Sequence, residues 1–377
     1  MRVFRPALIA IAATSISVGL SSVITGPASA APVRPAATAY STAGGLNGAA
    51  AVSNSSAWAV GFAGNSFAPK ILMLHWNGTA WSRVTSPSVL TATGELSAIT
   101  AVTAKSAWAV GYTGGIGTGK NHSLLLHWNG STWSQVTSPA PVTGGNLAAI
   151  TATSKSGWAV GYVNTNPSAP ACCAGTPLVF RWNGSGWSRL TTKLGNGSGL
   201  NGVAITAANT AWAIGSPTAM ITGALTKWNG SAWSWVTDPV AGPYHPLYGI
   251  AAGPGGTAFM VGTNNNLPGP PISAWWNGKA WKQVTVSAPN GSGLNAVAFA
   301  PGGSAWAAGL ARSGSSVHTL VMRWNGAAWT RVSSPGTGEE LNGLAFSASN
   351  YGWAVGNTTT SGSDRTVILH WNGGAWG

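Results

Sequence analysis

Charge is what this chain has least of. Of 377 residues, 6% are charged, and five are acidic: Glu95, Asp238, Glu339, Glu340 and Asp364. So few carboxylates leave little material for paired acid/base chemistry or for acidic cation cages. They also leave none of the Glu and Lys runs that build solvent-exposed helices. Cysteine is equally scarce. Cys172 and Cys173 are adjacent, so they cannot cross-link distant parts of the chain. They can close a vicinal disulfide that stiffens their Pro-rich loop, or remain a thiol pair. No Cys-x-x-Cys spacing supports redox catalysis. Long apolar runs are missing beyond the first thirty residues, so no later stretch has the roughly 20 residues of a membrane span.

The first thirty residues read as a targeting segment. Arg2 and Arg5 form a positive start, Ala7 to Gly19 is a short apolar stretch, and Ala28-Ser29-Ala30 is a small-residue cleavage site. This is the pattern of a secretory signal peptide, residues 1–30, which implies an exported, extracellular chain starting at Ala31. The 18 basic residues less Arg2 and Arg5, against five acids, leave that chain at +11 with histidine neutral. A positive field of this kind favours anionic polymers. The cations are scattered rather than clustered, so nucleic acid is disfavoured as a partner.

What the chain has in abundance is tryptophan, 22 residues, together with 53 glycines. Trp-Asn-Gly occurs seven times, at Trp76, Trp128, Trp182, Trp228, Trp276, Trp324 and Trp371, with a second Trp five residues after each first one. The copies are 52, 54, 46, 48, 48 and 47 residues apart. A fixed period in this range marks an array or a propeller. Each unit opens with Leu and small residues, as in Leu96-Ser97-Ala98-Ile99 and Leu341-Asn342-Gly343-Leu344. An aromatic-Ala-Val-Gly segment follows, Trp58-Ala59-Val60-Gly61 being the first and Phe259-Met260-Val261-Gly262 the most divergent. After a variable Gly/Pro/Asn stretch come an apolar run, the Trp-Asn-Gly turn and a final short run.

Four short apolar runs bounded by turn residues read as four strands per unit. The Asn-Gly between the last two is a hairpin signal, and the Trp on either side can face each other and pin the register. The expected fold is therefore all-β: a seven-bladed β-propeller of roughly 48-residue repeats, four antiparallel strands per blade, over residues 46–377. Residues 31–45 precede it, and within them Ala37 to Thr42 is expected to supply or extend the outermost strand of blade seven. Most tryptophans recur at fixed strand positions and are expected in the packing between blades. Trp235 and Trp275 break the pattern.

The Trp-Asn-Gly-x-x-Trp hairpin resembles the Asp-box, the Asp-x-Gly-x-x-Trp turn of sialidase-type propellers. Gly78 and Trp81 match the Gly-to-Trp spacing, while Trp76 stands where that family has Asp. The whole unit also resembles the repeats of secreted bacterial kelch/galactose-oxidase-like propellers and of propeller lectins. The resemblance implies the architecture. The arginine triad, Tyr/Glu pair and acid of sialidases, and the Tyr, His and Cys copper ligands of the oxidases, have no recognisable counterparts here.

Antiparallel blades put the loops between strands two and three, and those between blades, on one face, with the Trp-Asn-Gly turns on the other. All five acids are expected in loops of the first face. Candidate ligand-binding residues there are Lys120, His122, Tyr244, His245, Arg312, His318, Asp364 and Arg365. Glu95 and Glu340 directly precede the opening Leu of blades two and seven, which puts both near the channel mouth. With His245 and Tyr244 they form the candidate set should the protein be an enzyme; carboxylates about 5–10 Å apart can act as acid and base on a glycan. The residue before each Trp-Asn-Gly is His75, His127, Arg181, Lys227, Trp275, Arg323 or His370, which reads as a cover for the hairpin Trp by cation–π contact. No metal set and no cofactor are expected. The favoured function is a monomeric extracellular binding module for a glycan or anionic polymer. A polysaccharide lyase or glycoside hydrolase, and a non-catalytic cell-surface scaffold, are the alternatives.

Overall fold

The computed structural model describes residues 40–377, apart from positions 66–67, 86, 116–119, 137–138, 140–141, 165–174, 196–198, 217–223, 238, 241–244, 265–268 and 359–363. The expected signal peptide, Cys172, Cys173, Asp238 and Tyr244 thus lie outside the described residues. The remainder, from Ala37 on, is one compact unit.

Each repeat folds into a small antiparallel sheet whose strands run in chain order. Blade one comprises Gly44–Ser53, Ser56–Ala63, Lys70–Trp76 and Trp81–Arg83. Six sheets have four strands. Blade seven has three, Glu339–Ala348, Tyr351–Thr358 and Thr366–Trp371. At the hairpin end of its outer edge, Trp376 bridges to Trp371, and His370 and Gly377 exchange backbone hydrogen bonds of 2.7 and 3.0 Å. At the other end, Ala43 bridges to Arg365 and the Thr366 amide donates to the Thr42 carbonyl oxygen at 3.0 Å. Thr93 makes the equivalent bridge to Lys70 between blades one and two. The seven-bladed β-propeller is therefore closed by contacts between blade seven and blade one.

The Trp-Asn-Gly turn differs from the simplest hairpin. Trp76 and Trp81 are register partners, so the loop is four residues, Asn77 to Ala80, rather than Asn-Gly alone. Asn77 Oδ1 accepts the backbone N–H groups of Thr79 and Ala80, both at 2.9 Å, and Gly78 sits at φ +98°. Asn is thus chosen as an internal cap for the turn and Gly for its left-handed backbone. The two Trp rings pack 5.9 Å apart, as the hairpin pattern implies.

Tryptophan also builds the core between blades. Trp58 of blade one packs on Trp128 and Trp133 of blade two, with ring centroids 5.1 and 5.2 Å apart. The same triad recurs round the ring until Trp353 of blade seven meets Trp76 and Trp81 of blade one at 4.8 and 5.0 Å. Phe259 takes the strand-two place in blade five, against Trp324 and Trp329. Twenty of the 22 tryptophans belong to these triads. Edge-on and tilted aromatic packing of this kind contributes beyond the area it buries.

The residue before each turn covers the triad, but it meets the strand-two ring of its own blade in place of the expected hairpin Trp, and not every such contact is a cation–π one. His75 stacks on Trp58 at 4.2 Å and His127 on Trp108 at 4.1 Å. The charged groups of Arg181, Lys227 and Arg323 lie 5.2–5.7 Å from Trp158, Trp212 and Trp306. Burial pushes both His75 and His127 below the usual histidine pKa, so these two stack as neutral rings.

Candidate functional site

The site is set by a bulge repeated in the innermost strand of every blade. In blade one, Leu46 pairs with Gly61 and Gly48 with Val60, so Asn47 is skipped by the ladder. The skipped residues of the other blades are Ser97, Ala148, Asn201, Tyr248, Asn295 and Asn342. Each stands one place after a fully buried Leu and lines the axial channel. The bulge explains the invariable Gly of the aromatic-Ala-Val-Gly segment. A Cβ on Gly61 would overlap the Gly45 carbonyl oxygen, and one on Gly111 that of Glu95.

Four of the seven channel residues are asparagines, and each donates its side-chain amide to the next blade. Asn47 Nδ2 reaches the Leu96 carbonyl oxygen at 3.0 Å, Asn201 that of Leu247 at 3.2 Å, Asn295 that of Leu341 at 3.1 Å and Asn342 that of Leu46 at 3.2 Å. The channel pocket encloses about 200 Å³. Its lining residues include no charged side chain, and the ring of Tyr248 projects into it, 40% exposed. This asparagine ring is the part of the site that the strand pattern alone does not announce. The recurrent Leu-Asn-Gly/Ala, a polar residue inside an otherwise apolar strand, is its signal.

Two polar clusters flank the channel. Glu95 accepts from Asn47 Nδ2 at 2.7 Å and from the Tyr112 hydroxyl at 3.2 Å. Burial raises the carboxyl pKa, and those two hydrogen bonds oppose the shift. Tyr112 is buried and its phenol is pushed up, first by burial and then by the Glu95 charge. On blade three, Asn146 donates to the Tyr162 hydroxyl at 3.3 Å. The second cluster belongs to blades six and seven. Asn295 donates to Asn342 Oδ1 at 3.1 Å, and Asn342 to Asn357 Oδ1 at 2.9 Å. Glu340 pairs in register with Asn357, and its pKa is raised by burial and by Asp364, against the pull of Asn357 and Arg312.

Glu95 and Glu340 thus sit at equivalent positions with separate partner sets. Both, with Glu339, are opening residues of innermost strands rather than loop residues. The strand start sets Glu95 beside the channel residue Asn47, and Glu340 beside Asn357, the partner of channel residue Asn342.

The remaining candidates are spread over the loop face. His122 and His318 are equivalent, each at the start of a third strand, with Nδ1 3.4 Å from Thr143 Oγ1 and 3.5 Å from Thr337 Oγ1. Lys120, Arg312 and Arg365 are exposed, and Arg365 Nε donates to Ser41 Oγ at 3.2 Å. Asp364 is half-buried, and its carbonyl oxygen accepts from the Gly44 amide at 2.8 Å. His245, just before the blade-five inner strand Leu247–Ala252, is 2% exposed, so it belongs to the interior rather than to an open loop surface. Tyr244 lies outside the described residues. Among the described residues no group of three His, Cys, Asp or Glu is arranged to hold a metal. Among the described residues no helix is long and apolar enough to cross a membrane.

The likeness to known proteins lies in the fold. No protein-family model matches the chain, and no curated protein matches it. Among solved structures it is similar to YCF48 from Cyanidioschyzon merolae, with TM-score 0.53 and 15% identity over 86% of this chain and 96% of that one. It is similar to the fucose-specific lectin from Aleuria aurantia, with TM-score 0.50 and 14% identity over 79% and 96%. It is also similar to the acylaminoacyl peptidase of Pyrococcus horikoshii, with TM-score 0.51 and 11% identity over 88% of this chain and 51% of that one. At these identities the shared property is the propeller.

Proposed function

We propose that this protein is an exported carbohydrate-binding propeller that holds a neutral, hydroxyl-rich sugar at the axial channel without transforming it. The observation that carries this reading is the channel lining: four asparagine amides, the Ser97 hydroxyl and the exposed Tyr248 ring, with no charged side chain among them. The amide N–H groups are engaged in the bonds between blades, so the amide oxygens are left to accept from sugar hydroxyl groups; the Ser97 hydroxyl can donate as well as accept, and an aromatic face suits the apolar side of a pyranose. The fold shared with a fucose-specific lectin supports the same class of ligand. The leader-like residues 1–30 support export.

The twenty triad tryptophans have no part in this recognition. Their rings are spent on packing between blades, and the channel lining includes no Trp, so sugar stacking there falls to Tyr248. The test is a glycan-array screen at low and high salt, repeated with Tyr248→Ala. Binding of a defined neutral glycan that resists salt and is lost in the variant is the expected outcome. Absence of glycan binding at either salt overturns the reading.

Glu95 supplies the observation behind a catalytic alternative, a glycoside hydrolase or polysaccharide lyase. Its raised pKa favours a protonated carboxyl at the channel mouth, the form a general acid requires. Release of reducing ends or unsaturated products by the protein, abolished in Glu95→Gln, would establish that alternative in place of pure binding.

A further inference from the structure

The propeller is electrically two-sided. On the loop face the described charges nearly balance: Lys70, Lys120, Lys193, Arg312 and Arg365 against Glu95, Glu339, Glu340 and Asp364. The opposite face and the outer strands carry cations and, among the described residues, no carboxylate. Lys105 and Lys155 lie in the turns between strands one and two, and Lys279 lies in a Trp-Asn-Gly turn. Arg181, Lys227 and Arg323 stand at the strand ends beside those turns. Arg83, Arg189, Lys282 and Arg331 are exposed on outermost strands. Eight of these ten belong to the contiguous blades three to six. Trp235, the one large apolar side chain exposed outside the channel among the described residues, sits on the outer strand of blade four within that arc.

We infer that this hairpin-side arc is a second binding surface, one that docks on an extended acidic polysaccharide and leaves the channel mouth facing outward. Net charge alone would distribute cations over both faces; segregation of every described acid to the other face leaves an uncompensated field on this one, and such a field attracts polyanions. The cations are spaced blade by blade along a curved edge, without a pocket that converges on a single anion. A flexible chain can follow that curve from blade to blade, summing weak contacts. A planar membrane could touch only part of it, and one exposed Trp offers little apolar area to insert. The surface is separate from the channel, so the two readings stand or fall independently.

The test uses polygalacturonate and its methyl-esterified, uncharged form as probes, with binding followed across a salt series. Two triple variants remove equal charge: Arg189→Ser with Lys282→Ser and Arg331→Ser on the outer strands, and Lys70→Ser with Lys120→Ser and Arg365→Ser on the loop face. Thermal melts verify folding of both. The expected result is salt-sensitive binding of the charged polymer alone, weakened about tenfold or more in the outer-strand variant and about twofold or less in the loop-face variant. Tyr248→Ala should leave this binding intact. Equal loss in the two triples, or equal binding of the esterified polymer, overturns the proposal. So does binding to phosphatidylglycerol vesicles or single-stranded DNA without binding to polygalacturonate.

Discussion

Asn342 of blade seven donates its side-chain amide to the Leu46 carbonyl oxygen of blade one at 3.2 Å, across 296 positions of sequence. This bond joins the two ends of the ring at its narrowest point, beside the channel. The same donor reaches the next blade from Asn47, Asn201 and Asn295, whereas Ser97, Ala148 and Tyr248 leave three seams without it. Asn342→Ala should destabilise the propeller by about 1 kcal/mol or more, because it removes the hydrogen bonds to Leu46 and Asn357 and the one accepted from Asn295, and leaves a channel carbonyl short of a partner. Ala148→Asn should gain up to about 1 kcal/mol by adding the missing bond to the Leu200 carbonyl oxygen. Urea unfolding of the two variants tests both signs; a stabilised Asn342→Ala would show that the bond carries no load.

The tryptophan triads predict where the fold is most sensitive. Trp353 is 1% exposed and touches both Trp76 and Trp81 across the closing seam. Trp353→Ala should cost about 3–5 kcal/mol, the range for deleting a large buried aromatic. Trp235, exposed and outside any triad, should tolerate alanine within about 1 kcal/mol despite its 2.9 Å hydrogen bond to the Leu194 carbonyl oxygen. Denaturation midpoints of the two variants should therefore separate widely.

Much of this architecture is legible before folding because it repeats. Seven Trp-Asn-Gly copies fix the number of blades, and the Trp at either side of each turn fixes the register of the outer hairpin. The covering role of His75, Arg181 and Lys227 is also readable, since side chains recurring at one strand position meet the same neighbour in every blade. The channel is harder to see. A bulge reverses which face a residue points to, so Asn47 and Asn342, read as part of an apolar opening run, emerge as channel lining. Glu95, Glu339 and Glu340 look like loop charges and are strand residues instead, Glu95 held by Asn47 and Tyr112 and Glu340 by Asn357. Lys120 belongs to a loop that differs in length from blade to blade, where no period constrains what it meets, while Arg312, expected in a loop, lies near the end of the second strand of blade six and pairs with Val317.

The glycine that opposes each bulge yields a sharper prediction. Gly111→Ala would drive a Cβ into the Glu95 carbonyl oxygen and to 2.8 Å from the Leu96 Cα, both backbone atoms that cannot step aside singly. The variant should lose at least ~2 kcal/mol and shift the bulge that presents Ser97 to the channel. Gly186 is the control: nothing lies within 4 Å of its added Cβ. Alanine there should change stability by no more than about 0.5 kcal/mol. Chemical denaturation reads both, and equal effects at the two glycines would contradict the role given to the bulge.

Glu95 links stability to pH with a definite sign. Its folded pKa lies above the ordinary 4.5, so the folded state holds the proton more tightly than the unfolded chain does. Its contribution is complete below about pH 4.5 and is lost as the pH rises through the folded value. Glu340, raised by burial and by Asp364, acts in the same direction. His75 and His127 act oppositely. Their lowered pKa values favour the neutral rings, so their contribution is present above the ordinary 6.5 and is lost as the pH falls through the folded values. Glu95→Gln keeps an acceptor for Asn47 and removes the ionisation. The variant should match the parent in Tm below pH 4.5 and exceed it at pH 7, with the gap opening between those values. Melting curves from pH 4 to 8 measure it; a variant that is less stable at pH 7 would mean that the charged hydrogen bonds to Asn47 and Tyr112 outweigh the cost of burial.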